Sequence, residues 1–161
     1  MYIYDISRPD FPQYLSKTIH ITSCDPVVAY GNYAYVTLNS TLSRMCTRGS
    51  DELQIYDISN PQRPTEVFVD RSMTSPRGLG VDGVAARLFV CDNGLKVYDI
   101  TDPEAPLWID DLTDIPEANG IDTCDVIPLN GHLLLIGSDG LYQFDYTGDK
   151  LAFISKIDLR K

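Results

Sequence analysis

Residues 53–64 read LQIYDISNPQRP, and three other stretches of the chain repeat this motif. The copies are MYIYDISRP at 1–9, LKVYDITDPEAP at 95–106 and, more weakly, LYQFDYTG at 141–148. The aligned aspartates lie 52, 42 and 46 residues apart along the chain: Asp5, Asp57, Asp99 and Asp145. A period of about 40–50 residues is that of a four-stranded β-unit that packs against copies of itself. The chain is therefore built from repeats of one supersecondary unit.

Each unit contains short apolar and β-branched runs separated by turn residues. Residues 27–30 and 33–38 flank a Gly-Asn turn, which is typical of a β-hairpin, and the runs 53–58 and 65–70 complete a set of four strands. No segment shows the i, i+3, i+4 apolar spacing of a helix over three turns. The sequence therefore predicts an all-β protein.

The predicted fold is a partial β-propeller of four-stranded antiparallel blades, with about three full blades after an N-terminal half blade. We expect residues 1–161 to form a single propeller segment. Its expected parts are a half blade of third and fourth strands at 1–20, a blade at 21–70 with a long insertion at 39–52, and blades at 71–113 and 114–161.

The half blade at the start leaves a strand edge open. Residues 1–6 match a third strand and 14–20 match a fourth, so a first and a second strand are missing upstream. Unpaired strand edges are templates for pairing with another chain. We expect either a piece of a longer propeller or a homo-oligomer that forms through the open blade edges, and light scattering in solution distinguishes the two.

The charge and composition exclude some partners. The chain has 161 residues and a formal net charge of −10, and its thirteen Lys and Arg residues are scattered. A surface that reads nucleic-acid phosphates needs clustered basic side chains, so we expect no nucleic-acid partner. No apolar run approaches the ~18 residues of a spanning helix, and the first residues lack the pattern of a signal peptide. We therefore expect no transmembrane segment.

The recurring Asp-Ile-Ser/Thr tail, for example Asp57 to Ser59, invites a catalytic interpretation because a carboxylate and a hydroxyl recur together. A mechanical role explains it better. A short Asp side chain accepts hydrogen bonds from backbone amides at the end of a strand, and the following proline sets φ for the turn. A position that recurs in every unit is expected to build the unit, whereas catalytic residues break the symmetry.

The repeated pattern, with Tyr33-Ala34-Tyr35-Val36 followed by residues 53–61, resembles the LVIVD repeat of bacterial and archaeal cell-surface β-propeller proteins. The stretches 78–83, 88–92 and 141–145 look like the lipoprotein members of that family in Bacteroidetes-type bacteria. This resemblance implies a propeller at the cell surface or outer membrane, outside the cytoplasm. No catalytic motif comes with the family, so it implies a non-catalytic binding or scaffold module for an unknown protein or small-molecule ligand.

The connections between blades, and between second and third strands, are expected to gather around the mouth of the central channel. We call this side the insertion face, because the 39–52 insertion has only a three-residue counterpart in the next unit. Insertions on one face of a repeat protein often form its binding face. The candidate ligand-binding residues there are Asp25, Arg44, Arg48, Arg77, Asp92, Asp125 and Asp139.

Two interpretations of these candidates remain open besides the simpler one of solvated turn residues. A ring of carboxylates is able to hold Ca²⁺, which takes several oxygen ligands from flexible loops, although we expect no cofactor. The arginines Arg44 and Arg48, together with Arg71 and Arg77, are able to bind an anionic ligand or to pair with the aspartates.

The four cysteines contain no Cys-x-x-Cys pair, which argues against a structural zinc site. We expect reduced cysteines near strand ends, since free Cys behaves as a small apolar residue. The alternative is a disulfide from Cys46, in the insertion, to Cys24 or Cys91. The alternative function is a propeller enzyme of hydrolase or lyase type with a metal-assisted site at the channel mouth. His20 and His132 are poorly placed for such a site.

Overall fold

The computed structural model of the protein describes residues 1–18, 26–40 and 49–159. Within these ranges the chain forms fourteen β-strands and no helix. The strands assemble into one two-stranded and three four-stranded antiparallel sheets, each made of strands that are consecutive in the sequence. The prediction of an all-β, partial β-propeller is confirmed.

The first sheet contains β1 (Tyr2–Asp5) and β2 (Gln13–Lys17). The second contains β3 (Val27–Tyr30), β4 (Tyr33–Leu38), β5 (Glu52–Asp57) and β6 (Thr65–Asp70). The third contains β7 (Pro76–Asp82), β8 (Arg87–Asp92), β9 (Leu95–Asp99) and β10 (Leu107–Asp111). The fourth contains β11 (Thr123–Leu129), β12 (His132–Gly137), β13 (Gly140–Asp145) and β14 (Ala152–Asp158).

The repeated motif encodes a β-bulge as well as a strand. In all four sheets, the pairing between the last two strands shifts register just before the aromatic residue that precedes the repeated aspartate. The last strand therefore has one extra residue at this point. A bulge of this kind increases the local right-handed twist of a sheet. The extra residues are aliphatic in every unit: Leu15, Val67, Ile109 and Ile154.

The middle strands of the second and third sheets bury both of their faces because the sheets pack face to face. On β8, Leu88 packs towards the second sheet, whereas the next residue, Phe89, packs towards the fourth. On β4, Tyr35 and Ala34 divide in the same way between two hydrophobic clusters. A strand with two buried faces needs a continuous apolar run rather than an alternating one. This explains the unbroken apolar runs of β4 and β8.

Two sheet faces at the ends of the stack remain open. The aromatic rings of Tyr2 and Tyr4 each contact the ring of Tyr14 on an exposed face of the first sheet. On the fourth sheet, Ile136 is 40% exposed, whereas Cys91, at the same register position in the third sheet, is 0% exposed. The exposure of these apolar side chains follows from the absence of a packed neighbour within the described residues.

The inner strands β7 and β11 approach each other closely because β7 carries two glycines at the contact. A Cβ atom on Gly78 would lie 2.6 Å from the Cα of Asp125 and 2.8 Å from the carbonyl oxygen of Cys124. A Cβ atom on Gly80 would lie 2.9 Å from the carbonyl oxygen of Val126. Since these neighbours are backbone atoms, a larger residue at either glycine must push the two sheets apart.

We expect Gly78→Ala to destabilise the protein by about 1–3 kcal/mol, the usual cost of overpacking a close contact. Gly148→Ala is the matched control, because its nearest neighbour is the carbonyl oxygen of Lys150 at 3.9 Å. The control should stay within about 0.5 kcal/mol of the parent protein. Urea unfolding followed by circular dichroism measures both changes, and equal midpoints for the two variants would contradict this account of the β7–β11 contact.

Candidate functional site

The insertion face combines connections of unequal length with buried ionisable groups. Between second and third strands, 39–51 join β4 to β5, whereas two residues join β8 to β9 and two join β12 to β13. The candidates Asp25, Arg44 and Arg48 lie outside the described residues, as do Cys24 and Cys46.

Arg77 is the second residue of β7 and binds residues around the start of β11. Its Nη1 atom lies 2.9 Å from Asp122 Oδ1 and donates a hydrogen bond to the carbonyl oxygen of Thr123 at 3.1 Å. The same atom lies 3.8 Å from Cys124 Sγ. Arg77, Cys124 and Asp125 line an open cavity of about 410 Å³ together with Pro26 and Gly78. Arg77 therefore joins the third and fourth sheets.

Asp92, at the end of β8, binds the segment that connects the second sheet to the third. Its side chain accepts hydrogen bonds from the backbone amides of Thr74 at 2.9 Å and Ser75 at 2.6 Å. Its other oxygen lies 2.9 Å from Lys96 Nζ, and both side chains are almost fully buried. A buried carboxylate is tolerated where it is paired and hydrogen-bonded in this way. The charge of Asp92 is thus used to hold the loop.

Asp139 has a comparable structural role in the fourth sheet. It accepts a hydrogen bond from the Tyr142 hydroxyl at 2.8 Å and lies 2.7 Å from Lys156 Nζ. The contact with Asp139, and after it the contact with Asp158, raises the pKa of Lys156 above its usual value. Lys156 Nζ also lies 5.0 Å from the centroid of the Tyr142 ring. The cluster connects the β12–β13 turn to the outer strand β14.

The structure keeps the described carboxylates of this face apart. Asp125, on the inner strand, accepts a hydrogen bond from the backbone amide of Val126 at 2.9 Å. Across the described residues, no three or more His, Cys, Asp or Glu side chains come together in a group able to hold a metal ion. The candidates Asp92, Asp125 and Asp139 therefore belong to three separate environments.

A buried polar network at the start of β5 was not anticipated from the sequence. Glu52 accepts hydrogen bonds from Gln54 Nε2 at 2.9 Å and from Arg71 Nε at 3.1 Å, and the Tyr56 hydroxyl donates to Gln54 at 2.8 Å. Burial raises the pKa of Glu52, but hydrogen bonds from Ser50 and Gln54 and the charge of Arg71 outweigh it, so the pKa is lowered. The alternating polar residues Glu52 and Gln54 were the signal available in the sequence.

A pair of cavities beside Trp108 was also missed. Trp108 lies on the outermost strand β10, is 56% exposed, and forms part of two cavities of about 310 and 250 Å³. Its indole N–H donates to the carbonyl oxygen of Asp110 at 2.9 Å, and Lys96 Nζ lies 5.4 Å from the ring centroid. The sequence motifs did not point to Trp108. Its being the single tryptophan of the chain was the available signal.

A larger cavity of about 530 Å³ lies on the opposite side, which we call the turn face because it carries the turns after Asp5, Asp57, Asp99 and Asp145. It is lined by the β7–β8 and β13–β14 connections. Tyr146 donates a hydrogen bond to Asp82 at 2.7 Å within it. A hydrogen bond from the backbone amide of Ala85 lowers the pKa of Asp82 most, and the hydrogen bond from Tyr146 lowers it further. Burial raises the pKa of Tyr146 to about 12. These contacts join the third and fourth sheets.

The repeated aspartates have the mechanical role predicted for them. Each accepts a hydrogen bond, 2.7 or 2.8 Å long, from the backbone amide two residues later, and the acceptors are Asp5, Asp57, Asp99 and Asp145. Hydrogen bonding to these Ser or Thr residues lowers the pKa of all four carboxyl groups. The motif therefore builds the turn between the third and fourth strands of each unit.

The two described cysteines differ in environment. Cys91 is 0% exposed within the core and is a free thiol, so it forms no disulfide in this structure. Burial raises its pKa to about 12. Cys124 is also free and lies on the exposed side of β11. The predicted alternative of a Cys24–Cys46 disulfide concerns residues outside the described ranges.

Comparisons with known proteins support the repeat and the fold. The family model of the LVIVD repeat matches residues 23–42 and 48–69 of this chain. No curated protein matches the chain. A chain from the crystal structure of the nidogen/laminin complex is similar, with a TM-score of 0.61 and 12% sequence identity over 92% of this protein. At this identity the similarity concerns the fold alone. The match covers 51% of the other chain, so this protein spans about half its length.

The described residues contain no helix of the length and hydropathy needed to cross a membrane.

We expect Cys124 to react with iodoacetamide at pH 8 in the folded protein and Cys91 to stay unmodified. With a pKa of about 12, the Cys91 thiolate fraction at pH 8 is on the order of 10⁻⁴, and the thiolate is the reactive form. Peptide mapping by mass spectrometry resolves the two sites, and repeating the reaction in guanidinium chloride provides the control in which both react. Equal native rates for the two thiols would show that the core around Cys91 opens readily.

Proposed function

We propose that the protein is a non-catalytic binding module of a bacterial cell-surface β-propeller, and that its insertion face holds the ligand. The match of the LVIVD repeat and the propeller fold support a propeller module. The proposal of a location outside the cytoplasm is supported by the sequence resemblance alone. Digestion of intact source cells by an external protease tests that location, because a cytoplasmic protein would survive the treatment.

The observation that carries the non-catalytic proposal is the state of the ionisable groups on the insertion face. Asp92 is paired with Lys96 and two backbone amides, and Asp139 with Lys156 and Tyr142. A general acid or base must instead reach a substrate proton, and a metal-assisted hydrolase needs several ligands around one ion. The described carboxylates stabilise loops and sheet contacts, and this supports a binding role.

The contrast between the two faces supports the choice of the insertion face. On the turn face, the same Asp-to-amide hydrogen bond recurs in all four units. On the insertion face, the corresponding connections differ in length, and the 112–122 connection folds back onto the core. Function in repeat proteins is usually carried where the repeats differ, since the shared positions are used to build the repeat.

We expect the purified protein to contain no stoichiometric Ca²⁺ or Zn²⁺ and to unfold at the same temperature in EDTA and in millimolar CaCl₂. A metal that binds only the folded state stabilises it, by about 2.7 kcal/mol at a concentration 100 times Kd. Elemental analysis and differential scanning calorimetry measure both quantities on the whole chain, including residues 19–25 and 41–48. One retained equivalent of metal, with a melting temperature that falls by several degrees in EDTA, would favour the metal-assisted enzyme instead.

A further inference from the structure

The exposed indole of Trp108 is held in place by its own polar atom. The N–H group is satisfied by the carbonyl oxygen of Asp110 at 2.9 Å, while the side chain as a whole remains 56% exposed. A tryptophan whose donor is already bonded offers only its aromatic surface to a ligand. This surface is shared by two cavities, of about 310 and 250 Å³, on the third sheet.

The groups around the ring are rich in hydrogen-bonding atoms. Thr74, Asn93 and Asn119 line the larger cavity, and Asp111 lines both. The Asn119 amide donates one hydrogen bond, to the carbonyl oxygen of Thr113 at 3.2 Å, which uses one of its two donor hydrogens. An aromatic face beside carboxylate, amide and hydroxyl groups matches a pyranose ring, which has an apolar C–H face and several hydroxyl groups at its rim.

The walls of the larger cavity are attached to the hydrophobic core. Leu112, Ile115 and Ala118, from the 112–122 connection, are buried in the cluster between the third and fourth sheets. Successive backbone hydrogen bonds of 3.1 and 3.0 Å link these three residues. On the other side, the carbonyl oxygen of Gly94 accepts hydrogen bonds from Asp92 N and from the Thr123 hydroxyl. A site held this firmly loses little conformational entropy on binding.

The charges around the two cavities select among ligands. Asp92, Asp110, Asp111 and Asp114 outnumber Lys96 and Lys150 in the lining, in a chain with a formal net charge of −10. An acidic sugar would be repelled by this surplus of carboxylates. A cationic ligand would meet Lys96, whose ammonium group is already 5.4 Å from the indole centroid. An uncharged ligand avoids both conflicts.

We propose that Trp108 and the two cavities beside it form a binding site for a neutral oligosaccharide, with one sugar unit in each cavity and Trp108 lining both. The proposal rests on the proposed function, because it names the ligand class of the binding module. The cavities, of about 310 and 250 Å³, lie at and just below the lower end of the ~300–1,000 Å³ range of ligand pockets, a size that suits one sugar unit in each.

Because the chain has one tryptophan, its fluorescence reports on this site alone. The probes are hexamers of β-1,4-glucose, α-1,4-glucose, β-1,3-glucose, β-1,4-xylose and β-1,4-mannose, with oligogalacturonate as the anionic comparison. We expect a saturable blue shift with at least one neutral hexamer, because a sugar ring displaces water from the indole. Oligogalacturonate should bind at least tenfold more weakly than that hexamer.

Three variants locate the binding. By calorimetry, Trp108→Ala should abolish it, and Asn119→Ala should weaken it about tenfold or more. Asp149→Ala, in the cavity of the turn face, should leave the affinity unchanged. Thermal unfolding confirms that each variant is folded, which is expected since all three side chains are exposed.

The proposal is overturned if no neutral hexamer binds at 10 mM, if oligogalacturonate binds as tightly as the best neutral hexamer, or if Trp108→Ala binds like the parent protein. Chromatography of the hexamers after incubation keeps the two proposals separate. Shortened products would overturn the non-catalytic function while leaving the saccharide site in place. Absence of saccharide binding would remove the site and leave the metal and calorimetric test of the binding module unaffected.

Discussion

The face-to-face packing of successive sheets is the constraint on which the rest of this structure depends. In the second and third sheets, each middle strand contributes alternate side chains to the clusters on its two sides, as Leu88 and Phe89 show on β8. The inner strands then approach so closely that β7 accepts only glycine at positions 78 and 80. Protein interiors have the density of organic crystals, so a contact of this kind transmits any change in side-chain volume to the neighbouring sheet. The exposed apolar faces of the first and fourth sheets show the same strands without that packing.

The polar residues of the insertion face follow from this arrangement. Loops that cross the edge of two packed sheets bring backbone amides and charged groups into partly dry surroundings, where each needs a partner. Asp92, Asp139 and Glu52 supply such partners at three edges, each with a different combination of lysine, arginine, tyrosine or amide groups. These carboxylates hold loops and neighbouring strands together through these contacts. On the third sheet, paired Asp92 and Lys96 form part of the wall of the larger cavity beside Trp108.

The repeated turns lie on one face of the molecule, and the connections of variable length lie on the other. At the turn face, one hydrogen bond, from a Ser or Thr amide to the repeated aspartate, recurs four times with nearly constant length. At the insertion face, the connections between equivalent strands range from two to thirteen residues, and one of them contributes Leu112, Ile115 and Ala118 to the core. A propeller built in this way keeps its strands in register through one set of loops. The other set is free to diverge.

The sequence by itself determined the strand order, the position of the turns and the all-β class, because these depend on local periodicity and on the backbone preferences of Asp, Gly and Pro. It also predicted the role of Asp57 and its counterparts, since their hydrogen bonds span only two residues. Which carboxylates share a site was decided by the tertiary structure alone. The sequence grouped Asp92, Asp125 and Asp139 on one face, yet each is bound by different groups: backbone amides of the 71–75 connection, the amide of Val126, and Lys156 on β14. The cavities beside Trp108 combine side chains from β10 and the 112–122 connection with Thr74, more than thirty residues away. No local sequence pattern encodes these contacts between distant residues, because they depend on how whole sheets pack.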